Sequence, residues 1–260
     1  MTDDRIGKQG GRAMDGIRRS FDIYYRDHKR TARMDRLNAI FVRPGDLVFD
    51  IGAHVGDRTG SFLRIGAKVV ALEPQPIVFR ALQKLYGRCE RAHLRALAAG
   101  KKAGETELLL NTANPTVATV AADFVSAAKG AKGWEGQVWD ARTKVQVTTL
   151  DALIEEHGDP SFVKIDVEGH EPEVLEGLST ALPLLSFEVT TIQRIAALAC
   201  IDRLSALARY EFNISHGEEH ALRLPDWITA DRMKELIAAL PHEVNSGDVY
   251  ARLHDKTRPL

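Results

Sequence analysis

Short apolar runs alternate with helix-spaced segments through the middle of this 260-residue chain. "DLVFDI" (46–51) follows the turn pair Pro44-Gly45 and ends at Gly52, which predicts a buried strand. A glycine-containing turn then leads into a helix near 57–65, stopped by Gly66. "AKVVALEP" (67–74) predicts the next strand, and "PIVFRALQKLYG" (76–87) has helical apolar spacing with Gly87 as its stop. "HLRALAAG" and "ETELLLN" predict two further strands, and "KVQVTTLDALIEEHG" (144–158) a strand running into a short helix. A strand at 162–166, a helix opening at Pro172 and a strand at 184–189 follow. The chain then predicts a long helix over about 191–208, the strand "YEFNIS", a helix near 229–240 and a last strand "DVYARL" (248–253). Repeated βα units predict a doubly wound α/β sheet, because parallel strands need crossovers that cover both faces.

Two regions depart from this rhythm. Residues 112–143 mix small residues with Trp134 and Trp139, and they read as an insertion that caps or shapes a pocket, with an idle surface loop as the equal alternative. Residues 1–40 read as a basic helical segment before a domain spanning 41–260; the first 37 residues carry ten Lys/Arg against six Asp/Glu. A basic face that docks on the domain is the expectation there.

Composition narrows the class. At 44% hydrophobic and 27% charged residues the chain has enough apolar material for a full core. A net charge of −1 gives no global reason to expect nucleic acid or an anionic membrane as partner. Cys89 and Cys200 lack Cys-x-x-Cys spacing, which argues against a zinc site or a disulfide framework. No apolar run reaches membrane-span length, and the polar start "MTDDRIGKQGGRAMDG" lacks a signal-peptide core, so a cytoplasmic enzyme is the expectation.

The first chemical constellation is "DIGAHVGDRTG" (50–60) after one strand, with Glu73 closing the next. Ligands of open parallel sheets bind beyond the carboxyl ends of the strands, where strand order reverses. Gly52 and Gly56 would let backbone approach a ligand, and Glu73 is placed to accept from both hydroxyls of a ribose. The spacing Gly52-Ala53-His54-Val55-Gly56 fails the dinucleotide fingerprint, and no Walker A pattern occurs. Asp50 disfavours a pyrophosphate but suits a cationic ligand. S-adenosylmethionine meets these requirements: an adenosine for Glu73, positive charge for Asp50, and no phosphates.

The second constellation is "FVKIDVEGHEPEVLEGL" (162–178), a strand that turns abruptly acidic. Together, "DLVFDIGAHVGDRTGSF", "VVALEPQP", "VTTLDALIE" and "PSFVKIDVEGHEPEVLEGL" resemble the FkbM-type methyltransferases from about Phe41 to the final "GDVYARL". The resemblance implies an S-adenosylmethionine-dependent O-methyltransferase on the Rossmann-like class I fold, a mostly parallel sheet of about seven strands with the last antiparallel. Carried over by position, it implies that Asp50, Gly52, Ala53, His54 and Gly56 line the methionine and ribose end. Glu73 would hold the ribose, and Pro74 would shape the adjoining loop. Asp166, Glu168, Gly169 and Glu171 match the family's "KIDVEGxE" signature. The family more often has Asn at the His54 position and an aromatic residue at the His170 position.

Asp50, Glu73, Asp166 and Glu188 each end an expected parallel strand and should share one edge of the sheet. Asp166 and Glu168 are the leading candidates for a base that assists transfer to a weakly acidic hydroxyl, with His170 third. The implied acceptor is a small molecule or glycan: a hydroxyl on a sugar, glycolipid or polyketide-like metabolite. A divalent metal on Asp166 and Glu188 is the less favoured reading. Glu171 and Glu173 flank Pro172 at a helix start and suit its positive dipole end.

"HGEEH" (216–220) has inverted zinc-peptidase spacing, but it follows a strand and contains Gly217, so a loop is the better reading. The competing readings are an NAD(P)-dependent oxidoreductase and a non-catalytic nucleoside-binding or scaffold protein. The first predicts binding of a reduced nicotinamide nucleotide and none of S-adenosylhomocysteine, the second binding without methyl transfer.

Overall fold

The computed structural model describes residues 3–254, with side chains from Gly11 onward. The first residues of the expected amino-terminal segment therefore lie partly outside the described residues. Two helices come first, α1 (Asp3–Tyr25) and α2 (His28–Phe41). The Asp27 carboxylate caps α2 by accepting from the backbone N–H groups of Lys29 and Arg30. The units that follow are β1 (Leu47–Ile51), α3 (Asp57–Ile65), β2 (Lys68–Leu72), α4 (Pro76–Tyr86) and β3 (Ala92–Arg95). Gly66 ends α3 in the left-handed conformation, and Pro76 opens α4, where its missing N–H costs nothing.

Next come β4 (Ala98–Ala99), β5 (Gly104–Leu110), α5 (Ala122–Ala128), β6 (Ala141–Thr148) and α6 (Leu150–His157). The chain continues through β7 (Phe162–Ile165), α7 (Glu171–Glu176), β8 (Leu184–Thr190), α8 (Arg194–Leu207), β9 (Tyr210–His216), α9 (Ala230–Ala239) and β10 (Ser246–Leu253). Seven strands form the main sheet in the order β3-β2-β1-β7-β8-β10-β9. Only β10 runs against its neighbours, pairing antiparallel with both β8 and β9. This is the doubly wound, Rossmann-like arrangement expected from the sequence.

The strands read as nearly continuous apolar runs because both faces are covered. Phe49, Ile51, Val163, Ile165, Leu185 and Phe187 are fully buried on the face under α6, α7 and α8. Val48, Val69, Ala71 and Phe162 pack toward α2 and α3 on the other. Burying a side chain of this kind contributes about 1.5–3 kcal/mol.

β4, β5 and β6 stand apart in a small three-stranded sheet, with β6 central, parallel to β4 and antiparallel to β5. "ETELLL" and "KVQVTT" thus pair with each other and leave the main sheet. The intervening segment folds back on β5 through a bridge between Leu109 and Thr119, and Val117, Phe124, Ala128 and Trp134 give it an apolar cluster of its own.

Sheet order reverses between β1 and β7: the chain moves outward through β2 and β3, then returns to start the other half beside β1. The crevice above the carboxyl ends of these strands is where such folds hold ligands.

Candidate functional site

A cavity of about 250 Å³ opens at that reversal point. Its floor comes from β1, β2, β7 and β8, and its wall from Leu97, Leu108 and the segment Thr116–Val120 with Trp134. Tyr24 at the end of α1 forms part of the rim.

The β1–β2 side is braced by hydrogen bonds. Gly52 and Ala53 donate their N–H groups to the Leu72 carbonyl, joining the first loop to β2. The buried Glu73 accepts from the His54 N–H at 2.9 Å through Oε2 and from the Gln75 N–H at 2.7 Å through Oε1. Burial nevertheless pushes its acidity to about pKa 7. With one accepted bond each, both oxygens keep capacity for a further donor. Asp50, also buried, accepts from the Thr59 hydroxyl at 2.5 Å, and burial raises it to about 6. Two such acids gain from a cationic or hydroxyl-rich ligand that supplies the missing compensation.

Gly52 has a structural reason for lacking a side chain. Its φ is +85°, and a Cβ would stand 1.8 Å from the carbonyl oxygen of Asp166. The bare backbone lets the loop after β1 close onto the end of β7, bringing the two sequence motifs into contact. Gly56 works differently: a Cβ there would strike Leu82 and Tyr86 of α4, and the residue is absent from the cavity wall. Asp50, Gly52, Ala53, His54, Glu73 and Pro74 all line the cavity. The His54 ring packs edge-on to Tyr24 and approaches the Ser20 hydroxyl at 3.4 Å; burial holds it at a pKa of about 4, and so neutral.

The β7–β8 side carries Asp166, Glu168 and Glu188. One oxygen from each lies within 4.8 Å of the others. Lys164, inside β7, donates to Asp166 Oδ2 and to Asp248 Oδ1, both at 2.9 Å. Burial alone would depress this ammonium, but the two carboxylates hold it well above its usual range. Glu168 has a φ of +56° and is only 8% exposed, yet its carboxylate has no hydrogen bond or ion pair among the described residues. Its carbonyl accepts from the Thr119 hydroxyl at 2.7 Å, which ties the inserted segment to this loop. Glu188 Oε2 is buried without a partner. Burial, then the nearby Asp166 charge, raise both Glu168 and Glu188 well above the usual carboxylate range.

The structure does not bring His170 to the cavity. It precedes α7 with Nδ1 at 3.4 Å from Glu173, and its Nε2 side faces Gly100. Glu171 turns inward: it accepts from the N–H groups of Val167 at 2.9 Å and Gly169 at 3.3 Å, clamping the loop that presents Glu168. Burial raises it to about 7.

Sequence reasoning missed a charged cluster that contributes Asp57, Arg58 and Glu218 to the cavity lining. Arg30 of α2 joins Asp57 at 2.8 Å and also pairs with Glu218, while Arg58 contacts Asp57 at 3.0 Å and approaches Asp248 at 4.0 Å. Lys164 had one visible signal, a lysine in an otherwise apolar strand two residues before Asp166. Arg30 and Glu218 had none, because 188 residues separate them. "HGEEH" ends β9 at His216 and continues as a loop, with Glu218 serving this ion cluster and His220 Nε2 lying 3.0 Å from it.

The strand order and the crevice of buried acids at its reversal point place the protein among the Rossmann-like methyltransferase folds. The chain belongs to the methyltransferase FkbM domain family, whose model matches residues 50–200. It is 26% identical over 149 residues to the hexuronic acid methyltransferase AglP of Haloferax volcanii, an alignment covering 56% of this chain and 56% of that protein. The chain thus spans about half the length of this curated relative. Among solved structures it is similar to a precorrin-6y C5,15-methyltransferase from Geobacter metallireducens, with a TM-score of 0.45, 11% identity and coverage of 85% and 86%. It is also similar to a TehB-like SAM-dependent methyltransferase from Corynebacterium glutamicum, with a TM-score of 0.46, 9% identity and coverage of 91% and 94%. Neither structural likeness bears on the activity. Among the described residues, no helix is long and apolar enough to cross a membrane.

Proposed function

We propose that the protein transfers a methyl group from S-adenosylmethionine to a hydroxyl of a sugar or a similar polyhydroxylated small molecule. The observation that carries this reading is the pair of buried, positioned acids, Asp50 and Glu73, on one side of the cavity, with the carboxylates of β7 and β8 on the other. The curated relative acts on a hexuronic acid, which supports a sugar as the acceptor class.

Glu73 accepts the two ribose hydroxyls with lone pairs left over from its backbone bonds, and Asp50 balances the positive charge of the donor. Leu97 and Val117 offer apolar surface to the base. The donor, when bound, supplies an electrophilic methyl on a sulfonium sulfur, which keeps the electron pair of the broken carbon–sulfur bond as the carbon–oxygen bond forms.

The protein's part is to align the acceptor oxygen, exclude water and receive the hydroxyl proton. Holding two reactants in line is worth up to about 7–11 kcal/mol of barrier. Thr116–Val120 and Tyr24, which line the cavity, are the residues proposed to exclude water. Of the carboxylates, Asp166 is engaged by Lys164, whereas Glu168 has no partner among the described residues and holds a proton more readily than an ordinary carboxylate. Glu168 is therefore the proposed general base, Asp166 its positioned neighbour. The proton passes from the acceptor hydroxyl to a Glu168 oxygen as the carbon–oxygen bond forms.

The test is S-adenosylhomocysteine release from S-adenosylmethionine over a panel of uronic acids, neutral glycosides and nucleotide sugars. The proposal expects turnover with at least one hydroxyl acceptor and a methyl ether in the product. Tight binding of reduced nicotinamide nucleotide, with none of S-adenosylhomocysteine, would overturn it.

A further inference from the structure

The carboxylates at the β7–β8 end pose a charge problem that the donor does not solve. Seven residues lining the cavity are Asp or Glu, whereas two are Lys or Arg. Arg58 is surrounded by Asp57, Glu218 and Asp248, and Lys164 divides its ammonium between Asp166 and Asp248. Neither cation reaches Glu168 or Glu188 among the described ion pairs. Glu168 is more than nine-tenths buried, with no hydrogen-bond or ion-pair partner for its carboxylate among the described residues, and Glu188 adds a buried oxygen without a donor there. A buried carboxylate left this way is costly, and native structures pair such groups or place them on a metal.

The geometry points to a divalent-cation site formed by Asp166, Glu168 and Glu188. Two oxygens on one ion stand no further apart than twice the metal–oxygen distance, roughly 4.2 Å for Mg²⁺ and about 5 Å for Ca²⁺. The three oxygens here fall within 4.8 Å of one another, so an inward adjustment of the side chains brings them onto one ion, a smaller one for Ca²⁺ than for Mg²⁺ or Mn²⁺. An all-carboxylate donor set with no His or Cys selects these hard ions over zinc or copper.

Supporting contacts fix each ligand. Lys164 holds Asp166 through Oδ2, leaving Oδ1 for the ion. Glu171 clamps the backbone on either side of Glu168, and Thr119 anchors its carbonyl. Three protein oxygens leave further coordination positions open toward the cavity, where hydroxyl oxygens of a polyol can bind. Each carboxylate needs only one oxygen for the ion, so the second oxygen of Glu168 stays available for the acceptor proton. Such an ion would also let this strongly anionic cavity accept a sugar that itself carries a carboxylate.

Metal uptake is measurable with neither donor nor acceptor present, so the site stands or falls apart from the methyl-transfer reading. Chelator-treated full-length protein is titrated with Mn²⁺ while the electron paramagnetic resonance signal of the free ion is followed. About one Mn²⁺ per chain is expected, displaced by excess Mg²⁺ or Ca²⁺, with affinity weakened at least about tenfold in both Glu168→Gln and Glu188→Gln. Thermal melts of each variant establish that it folds; Glu168→Gln, in a loop, reads the site if Glu188→Gln fails to. Absence of stoichiometric uptake by the wild type overturns the proposal. So does uptake that folded Glu→Gln variants retain.

Discussion

At the β1–β2 end of the cavity, buried acids are held by neighbours. Glu73 accepts two backbone N–H groups and Asp50 accepts the Thr59 hydroxyl. At the β7–β8 end, Glu168 is also buried but has no donor among the described residues, and one Glu188 oxygen is stranded. Both ends belong to the same sheet edge and use the same residue types. The first has fixed positions for a ligand whose shape it must match. The second retains unmet electrostatic demand, which suits charge that arrives during a reaction or with an ion.

Predictions that separate the two ends follow from this contrast. Glu168→Gln should reduce methyl transfer by about 10²–10⁴-fold, the usual worth of a positioned base, while S-adenosylhomocysteine affinity changes little. Steady-state rates with calorimetry on the same preparation check both halves, and a matching loss of affinity would erase the distinction. Lys164→Met leaves Asp166 and Asp248 facing each other without their shared cation. Removing one partner of a buried ion pair costs about 3–5 kcal/mol, so chemical denaturation should show a loss of that order. Glu73→Ala should weaken S-adenosylhomocysteine by about 10–150-fold, equivalent to about 1.5–3 kcal/mol for a hydrogen bond to a charged group. Unchanged affinity would remove Glu73 from the ribose role.

A further effect depends on pH. Glu73 lies at about 7 in the folded protein against 4.5 for the free side chain, so the folded state holds its proton over that interval. Its contribution to stability is present below pH 4.5 and is lost as pH rises through 7. Ligand-free Glu73→Gln should therefore gain stability relative to wild type between pH 4.5 and 8, with little change in the difference at lower pH. Melting curves at several pH values test this, and a constant difference would show that burial does not perturb Glu73.

Much of the framework was legible in the chain. Apolar runs bounded by glycine and proline marked β1, β2, β7 and β8, and Gly66 and Gly87 marked the ends of α3 and α4. The order strand, glycine turn, helix, strand, acid pointed to Asp50 and Glu73. Local patterns report these features because each depends on residues a few positions apart. Pairing was less legible: β5 and β6 look like any amphipathic strands, and their departure into a separate sheet depends on which partners the folded chain offers. The role of Gly56 was also hidden, since the atoms a Cβ would meet belong to α4. His170 shows the reverse error, a chemically suggestive residue beside the motif that the turn into α7 carries away from the cavity.

By itself, then, the sequence determined the alternation of elements, the family, and which acids end the strands, because periodicity and punctuation act over short range. The tertiary structure alone decided which of those acids have partners. Donors to Glu73 come from its own loop and the one after β1, Lys164 and Asp248 meet from distant strands, and among the described residues no donor reaches the Glu168 carboxylate. That difference in compensation arises from long-range packing, and it separates the two halves of the site.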